Sequence, residues 1–331
     1  MIKTKDKIKI FIILFSILLL FILMILTIGI GSVNIPVKGI IDIFLGKGDE
    51  INRSIVMDMR LPRIILAVFV GASLSISGAL LQSVMKNPLA DPGITGVSSG
   101  ASLVAILIMI YFPNLQRVLP LMAFLGAMTA CAIVFLLSWD NGLNSLRIIL
   151  AGVAVNAMFL GATSLLSILN SEKIQGVLLW INGSLAYRGW REVSYFVPYS
   201  ILGIVLSLFC IKGANLLSLG DNAAINLGVN VNRTRLLLSL VAVFLAGIST
   251  SVVGIIGFIG LIVPHISRLL LGYDYKYLIP MSGVLGGILL LLADTLARFI
   301  ARPLELPVGV IMSMIGGPFF LFLLRRRKSN A

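Results

Sequence analysis

Charge is what this chain has least of. Only 12% of its 331 residues are charged while 59% are apolar, and the mean hydropathy is +1.08, far outside the range of a soluble globular domain. The alternation of apolar and polar residues that a transmembrane barrel needs is also missing. The apolar blocks have the length of helices, which leaves an all-α polytopic membrane protein. With one histidine, His265, and two cysteines, Cys131 and Cys210, the chain has no metal-ligand cluster and no CxxC pair, and both thiols lie inside apolar blocks as packing groups. No GxxxxGK(S/T) segment occurs, so the chain does not bind ATP through a P-loop. Acids inside the apolar blocks are nearly absent, Asp294 being the sole candidate, which argues against a carrier driven by protons or sodium.

What is present is organised around residues 60–100, RLPRIILAVFVGASLSISGALLQSVMKNPLADPGITGVSSG. Between Leu61 and Val84 only Arg63, at the edge, and Gln82, near the far end, resist burial in lipid, and the segment is long enough to span a bilayer. Asn87-Pro88 and Asp91-Pro92 then end one helix and start another, because proline removes a backbone donor and restricts the residue before it. The N-terminal run from Ile10 to Ile30 is too long for a signal peptide and lacks a small-residue cleavage site, so it reads as a first membrane helix.

Apolar blocks and breakers together predict ten membrane helices, near residues 10–30, 61–84, 93–112, 118–138, 145–169, 193–212, 233–253, 258–271, 279–299 and 305–324, within a single domain over 1–331. An even number puts both termini on one side, and the lysines at the start with Arg325, Arg326, Arg327 and Lys328 at the end predict that this side is the cytoplasm. The opposite face still keeps several arginines, among them Arg60, Arg63 and Arg298. The segment 170–192 carries Trp180, Tyr187 and Trp190 and suits a membrane-interface belt. The segment 213–232 predicts a short surface helix, with Asp221 as N-cap, Ala223, Ala224 and Leu227 as an apolar stripe, and Gly228 as its stop. Such a helix suits docking on another protein better than lying on lipid, since no Lys or Arg falls between Gly213 and Asn232. A faint internal repeat, GASLSISGALLQ at 71–82 against AGISTSVVGIIG at 246–257, predicts an inverted pair of the kind found in alternating-access transporters.

Single motifs read as structure. Gly96-Val97-Ser98-Ser99-Gly100 satisfies GxSxG, but it opens a membrane helix instead of following a strand, so it predicts close helix packing by small residues. His265 follows Pro264 and is expected to have a structural role at the start of a short helix. Asp294 and Arg298 stand four apart, acid first, as an ion pair near a helix end.

Taken together, RLPR at 60–63, SGALLQ at 77–82, NPLADPGITGVSSGA at 87–101, LAGVAV at 150–155, GFIGLIVPHISR at 257–268, LLLADTLAR at 290–298 and ELPVGVIMSMIGGPFF at 305–320 resemble the permease subunit of type II ABC importers for iron-siderophore complexes, haem and cobalamin. The resemblance implies a ten-helix permease in the bacterial cytoplasmic membrane, paired as a homodimer or with a paralogous permease. It implies no covalent chemistry and no cofactor in this chain, with ATP and Mg held by two partner ATPase subunits docked at Gly220, Asp221, Asn222, Leu227 and Gly228. It also implies an extracytoplasmic substrate-binding protein engaging Arg60, Arg63 and Arg298, and no nucleic acid. The path would run along 145–169 and 305–324, past Gly152, Ala157, Gly161 and Gly309, to an inner gate near Asn87, Leu89 and Ser145. A ferric siderophore is the expected cargo, with haem or cobalamin as alternatives. A receptor or scaffold that binds the outer protein without transport is the reading from a different class.

Overall fold

The computed structural model describes residues 2–31, 33, 35–47, 49–139, 145–301 and 304–328. Fifteen α-helices follow one another: α1 Ile2–Gly29, α2 Val37–Phe44, α3 Glu50–Ser54, α4 Leu61–Val84, α5 Val97–Tyr111, α6 Leu119–Leu137, α7 Ser145–Leu169, α8 Ile174–Ile181, α9 Trp190–Phe209, α10 Ile211–Ser218, α11 Asp221–Asn226, α12 Val231–Val253, α13 Ile259–Leu271, α14 Tyr275–Ile300 and α15 Val308–Lys328. Among the described residues, seven helical stretches are long and apolar enough to cross a bilayer, and the shorter apolar helices Val97–Tyr111, Ile259–Leu271 and Val308–Leu321 complete the ten blocks expected from sequence. The sequence reading missed α2, α3, α8 and α10, short helices far below the length of a membrane span.

The core is built around α4, whose residues are almost all buried, with α12, α14, α9 and α13 packed against it. In lipid no hydrophobic gain draws apolar helices together, so their association relies on close approach of small residues and on hydrogen bonds between helices. Four serines of α4 show this, each bonding to a different neighbour. Ser73 Oγ meets Ser200 Oγ on α9 at 2.7 Å, Ser75 Oγ donates to the Ser282 carbonyl on α14 at 2.6 Å, Ser77 Oγ to the Ala242 carbonyl on α12 at 2.6 Å, and Ser83 Oγ to the Ala214 carbonyl on α10 at 3.0 Å. Small residues do the same: a Cβ at Gly71 would run into the carbonyl of Gly286, and one at Gly78 into the carbonyl of Gly260. The two helices bearing the repeated sequence, α4 and α12, pack directly on each other.

At one end of this bundle α1 finishes, α14 finishes and α15 begins, with Arg60 and Arg298 both donating to carbonyls at the end of α1. Since α1 runs towards this end and α15 away from it, the start of α1 and the end of α15 lie at the opposite end. There α4 stops at Val84, and Lys86 just beyond it sits beside α11 and the start of α12.

Two local expectations are corrected. Gly220, not Asp221, is the N-cap of α11, because the chain enters that helix with φ +105°, a left-handed value that favours glycine. His265 lies in the middle of α13, which begins six residues earlier at Ile259, and stacks edge-on against Phe319 with ring centroids 6.3 Å apart.

Candidate functional site

The Arg60 end gathers the three arginines singled out from sequence, and it buries them. Arg60, Arg63 and Arg298 are only 6%, 6% and 5% exposed. A charge this deep needs partners, because desolvation costs several kcal/mol per ion in order-of-magnitude terms. Arg63 finds them in Asp294, which takes Nε at 3.0 and 3.1 Å and Nη2 at 2.9 Å, and in Glu305, whose Oε2 takes Nη1 at 2.6 Å. Asp294 is fully buried and also forms an ion pair with Arg298, whose Nε lies 3.2 Å away, the i,i+4 pair expected from sequence. Arg60 donates to the carbonyls of Ile28 and Val33. The arginines therefore do not stand free on the surface. Of their acidic partners among the described residues, Glu305 reaches solvent, its side chain 41% exposed, while Asp294 does not.

At the opposite end, α4 stops at Val84 and Lys86 takes φ +50°, an unusual conformation for a residue with a Cβ. The following turn is held from within: Asn87 Oδ1 accepts from Leu89 N at 3.0 Å and Asp91 Oδ1 from Gly93 N at 2.9 Å. Around the turn, Gln82 Nε2 donates to the carbonyls of Ala90 and Gly260, and Arg268 donates to Gln82 Oε1. Ser145 Oγ donates to the Val84 carbonyl at 3.3 Å, so the start of α7 is tied to the end of α4. The structure thus brings Asn87, Leu89 and Ser145 to one place.

The same place includes α11. Asp221 Oδ1 receives Lys86 Nζ at 2.7 Å and Arg235 Nη2 at 2.9 Å. Partial burial alone would raise the Asp221 carboxyl, but the Lys86 hydrogen bond and the Arg235 charge outweigh it and hold the group below the usual carboxylate range. The expected apolar stripe divides, with Ala224 buried, Ala223 half-buried and Leu227, just past the end of α11, exposed; Ile225 is exposed as well. Gly228, φ +77°, ends the helix with its N–H on the Ile225 carbonyl.

The four small residues expected along a path also divide. Ala157 and Gly161 lie on the exposed face of α7, and a Cβ at Gly161 would meet nothing within 4 Å. Gly152 and Gly309 are buried: a Cβ at Gly152 would run into the carbonyl of Ile94, and one at Gly309 into that of Asn182. Those two glycines permit packing and do not form an open wall. Near the turn a cavity of about 110 Å³ is bounded by Leu74, Asp91, Thr250, Gly257 and Gly260, several-fold smaller than pockets that enclose drug-sized ligands.

Sequence reasoning missed Lys86, Arg235 and Glu305, the counter-charges that complete each cluster. Lys86 stands directly before the Asn87-Pro88 breaker, which was the available signal. Nothing local marks Glu305 as a partner for a residue 242 positions earlier.

A family model described as the FecCD transport family matches residues 18–326. The chain belongs to the FecCD transport family. Curated relatives span its length: the Fe(3+)-citrate import system permease protein YfmD of Bacillus subtilis is 38% identical over 327 residues, covering 99% of this chain and 97% of the relative. The hemin transport system permease protein HmuU of Yersinia pestis is 41% identical over 285 residues, covering 83% and 84%. Among solved structures, an inward-facing conformation of a metal-chelate type ABC transporter superposes with TM-score 0.86 at 31% identity, covering 95% of this chain and 99% of that one. This FecCD-family chain is therefore a transport component with the helical architecture of an ABC permease.

Proposed function

We propose that this chain is the membrane-spanning permease subunit of an ATP-driven importer that carries an iron chelate, a ferric siderophore or iron(III)-citrate, across the bacterial cytoplasmic membrane. The observation that carries the reading is the end-to-end likeness to an iron(III)-citrate permease, over 99% of this chain. Haem is the second reading, favoured by the 41% identity to a hemin permease.

In this reading the Lys86 end faces the cytoplasm and two ATPase subunits dock on α11, whose exposed Ile225 and Leu227 offer apolar anchors. The path lies between two permease subunits, a homodimer or a pair with a paralogue. The feature that supports that placement is α7, which leaves most of its apolar surface uncovered. Ala157 and Gly161 would then line the path, with Asn87, Leu89 and Ser145 at its inner closure. An extracytoplasmic binding protein docks at the Arg60 end. For a partner's carboxylate to engage Arg63, an internal acceptor must give way, and Glu305, the exposed one, is the acceptor that can leave while Asp294 stays.

The test is ATP-dependent accumulation in proteoliposomes holding the chain, its ATPase and its binding protein, offered iron(III)-citrate, ferric hydroxamate, haem and cobalamin in parallel. Accumulation of one iron chelate supports the reading and names the cargo. No accumulation of any, with no stimulation of the ATPase by the binding protein, would favour a receptor and sink it.

A further inference from the structure

We propose that Lys86, Asp221 and Arg235 form the link that carries movement of α11 to the turn at the end of α4, with Lys86 as its positioning residue. The proposal rests on the reading that ATPase subunits dock on α11. It goes further by assigning the transmission to three side chains.

α11 is mounted between two glycines. It is six residues long and flanked by Gly220 and Gly228, both in left-handed conformations at φ +105° and +77°. Glycines there let the short helix pivot as a unit without straining a side chain. A pivoting helix moves its surroundings only through what grips it. Two grips are visible: Ala224, fully buried, and Asp221, whose one oxygen holds both cations.

The two cations differ in what lies behind them. Arg235 is 4% exposed on α12, the helix packed along the centre of the bundle, so it fixes the carboxylate to the scaffold. Lys86 is held at the mouth of the turn that contains Asn87 and Leu89. Its positive φ sends the chain sharply away from α4 just where its side chain reaches back to Asp221. Displacing Asp221 therefore pulls on Lys86 at its backbone corner, and the internally bonded turn follows.

The ordinary reading of such a pair is a surface salt bridge, a third or more exposed on both partners and worth little to stability. That weakness is compatible with transmission. A link must be broken and remade as the helix moves, and coupling between sites corresponds to about 5- to 150-fold in equilibrium terms. The bland reading and the proposal differ in what removal of Lys86 does: the first leaves every property unchanged, the second separates ATP hydrolysis from movement of the turn.

The experiment uses the complete complex in proteoliposomes, with a nitroxide attached at Leu89→Cys, since Leu89 is half-buried in the turn and Cys131 and Cys210 are buried. ATP with vanadate should change the label's spectrum when Lys86 is present. In Lys86→Ala the complex should hydrolyse ATP at the parental rate while the spectral response is lost, and Lys86→Arg should restore it. An equal response in Lys86→Ala, or none with Lys86 in place, would overturn the proposal. Should Lys86→Ala also lose the co-purifying ATPase, Lys86 belongs to the docking surface and the link is wrong. Ile225→Asp, on the exposed face of α11, tests the underlying reading separately: retention of the ATPase there would remove α11 as the docking helix, and the link with it.

Discussion

Asp294 and Arg63 are 231 residues apart in sequence and meet in the buried end of the bundle through three hydrogen bonds between 2.9 and 3.1 Å. The pair joins α14 to the start of α4, and Arg298 on the same carboxylate closes a three-membered charge cluster. Removing one partner of a buried pair leaves an uncompensated charge, at a cost of about 3–5 kcal/mol. Arg63→Ala and Asp294→Ala are each expected to lower the thermal stability of the detergent-solubilised chain sharply. The double variant should be less damaging than the sum of the two. Additive losses in a double-mutant cycle would show that the pair is not coupled.

Glu305 is the opposite case. Its carboxylate holds Arg63 at 2.6 Å but is 41% exposed, and exposed pairs contribute about 0–1 kcal/mol. Glu305→Gln should therefore leave thermal stability almost unchanged. If an outer partner's carboxylate must displace Glu305 to reach Arg63, the same variant should bind that partner about three- to five-fold more tightly, the conversion of up to ~1 kcal/mol. Weaker binding, measured by surface capture of the solubilised complex, would mean that Glu305 itself contributes to docking.

Much of the fold was legible because lipid demands it. Apolar blocks of spanning length and the Asn87-Pro88 and Asp91-Pro92 breakers locate α4 and α5 to within a few residues. The same rule makes Asp294 conspicuous and predicts its pairing with Arg298, four residues on. It does not predict Arg63 as the stronger partner, since helix periodicity relates neighbours on one helix and is silent on which helices touch. Glycines were the least legible. Gly161 and Gly309 look alike in sequence, yet one opens on to space and the other presses against the Asn182 carbonyl. A missing side chain does not reveal what fills its place.

Gly78 offers a direct test of the close-packing argument. A methyl group there would collide with the backbone of Gly260, and backbone cannot swing aside as a flexible side chain can. Overpacking of this kind costs about 1–3 kcal/mol and more where relief needs helices to part. Gly78→Ala should reduce the yield of monodisperse protein and lower its melting temperature, whereas Gly161→Ala, with nothing within 4 Å, should do neither. Equal behaviour of the two variants on size exclusion would refute the contrast.

In the proposed arrangement the exposed face of α7 borders the path. Ala157 and Gly161 share that face, four residues apart, so on an α-helix they stack one above the other. A path between two subunits would be narrowed by a large side chain at either position, with no loss of packing inside the chain. Ala157→Trp should keep the melting temperature and the ATPase rate of the assembled complex while lowering chelate accumulation by about ten-fold or more, on the order of the barrier change that ~1.4 kcal/mol produces. Gly309→Trp is the wrong probe for this purpose, because it would strike the Asn182 carbonyl and disturb the fold before any path. Full uptake through Ala157→Trp, with dimer and ATPase retained, would move the path off α7.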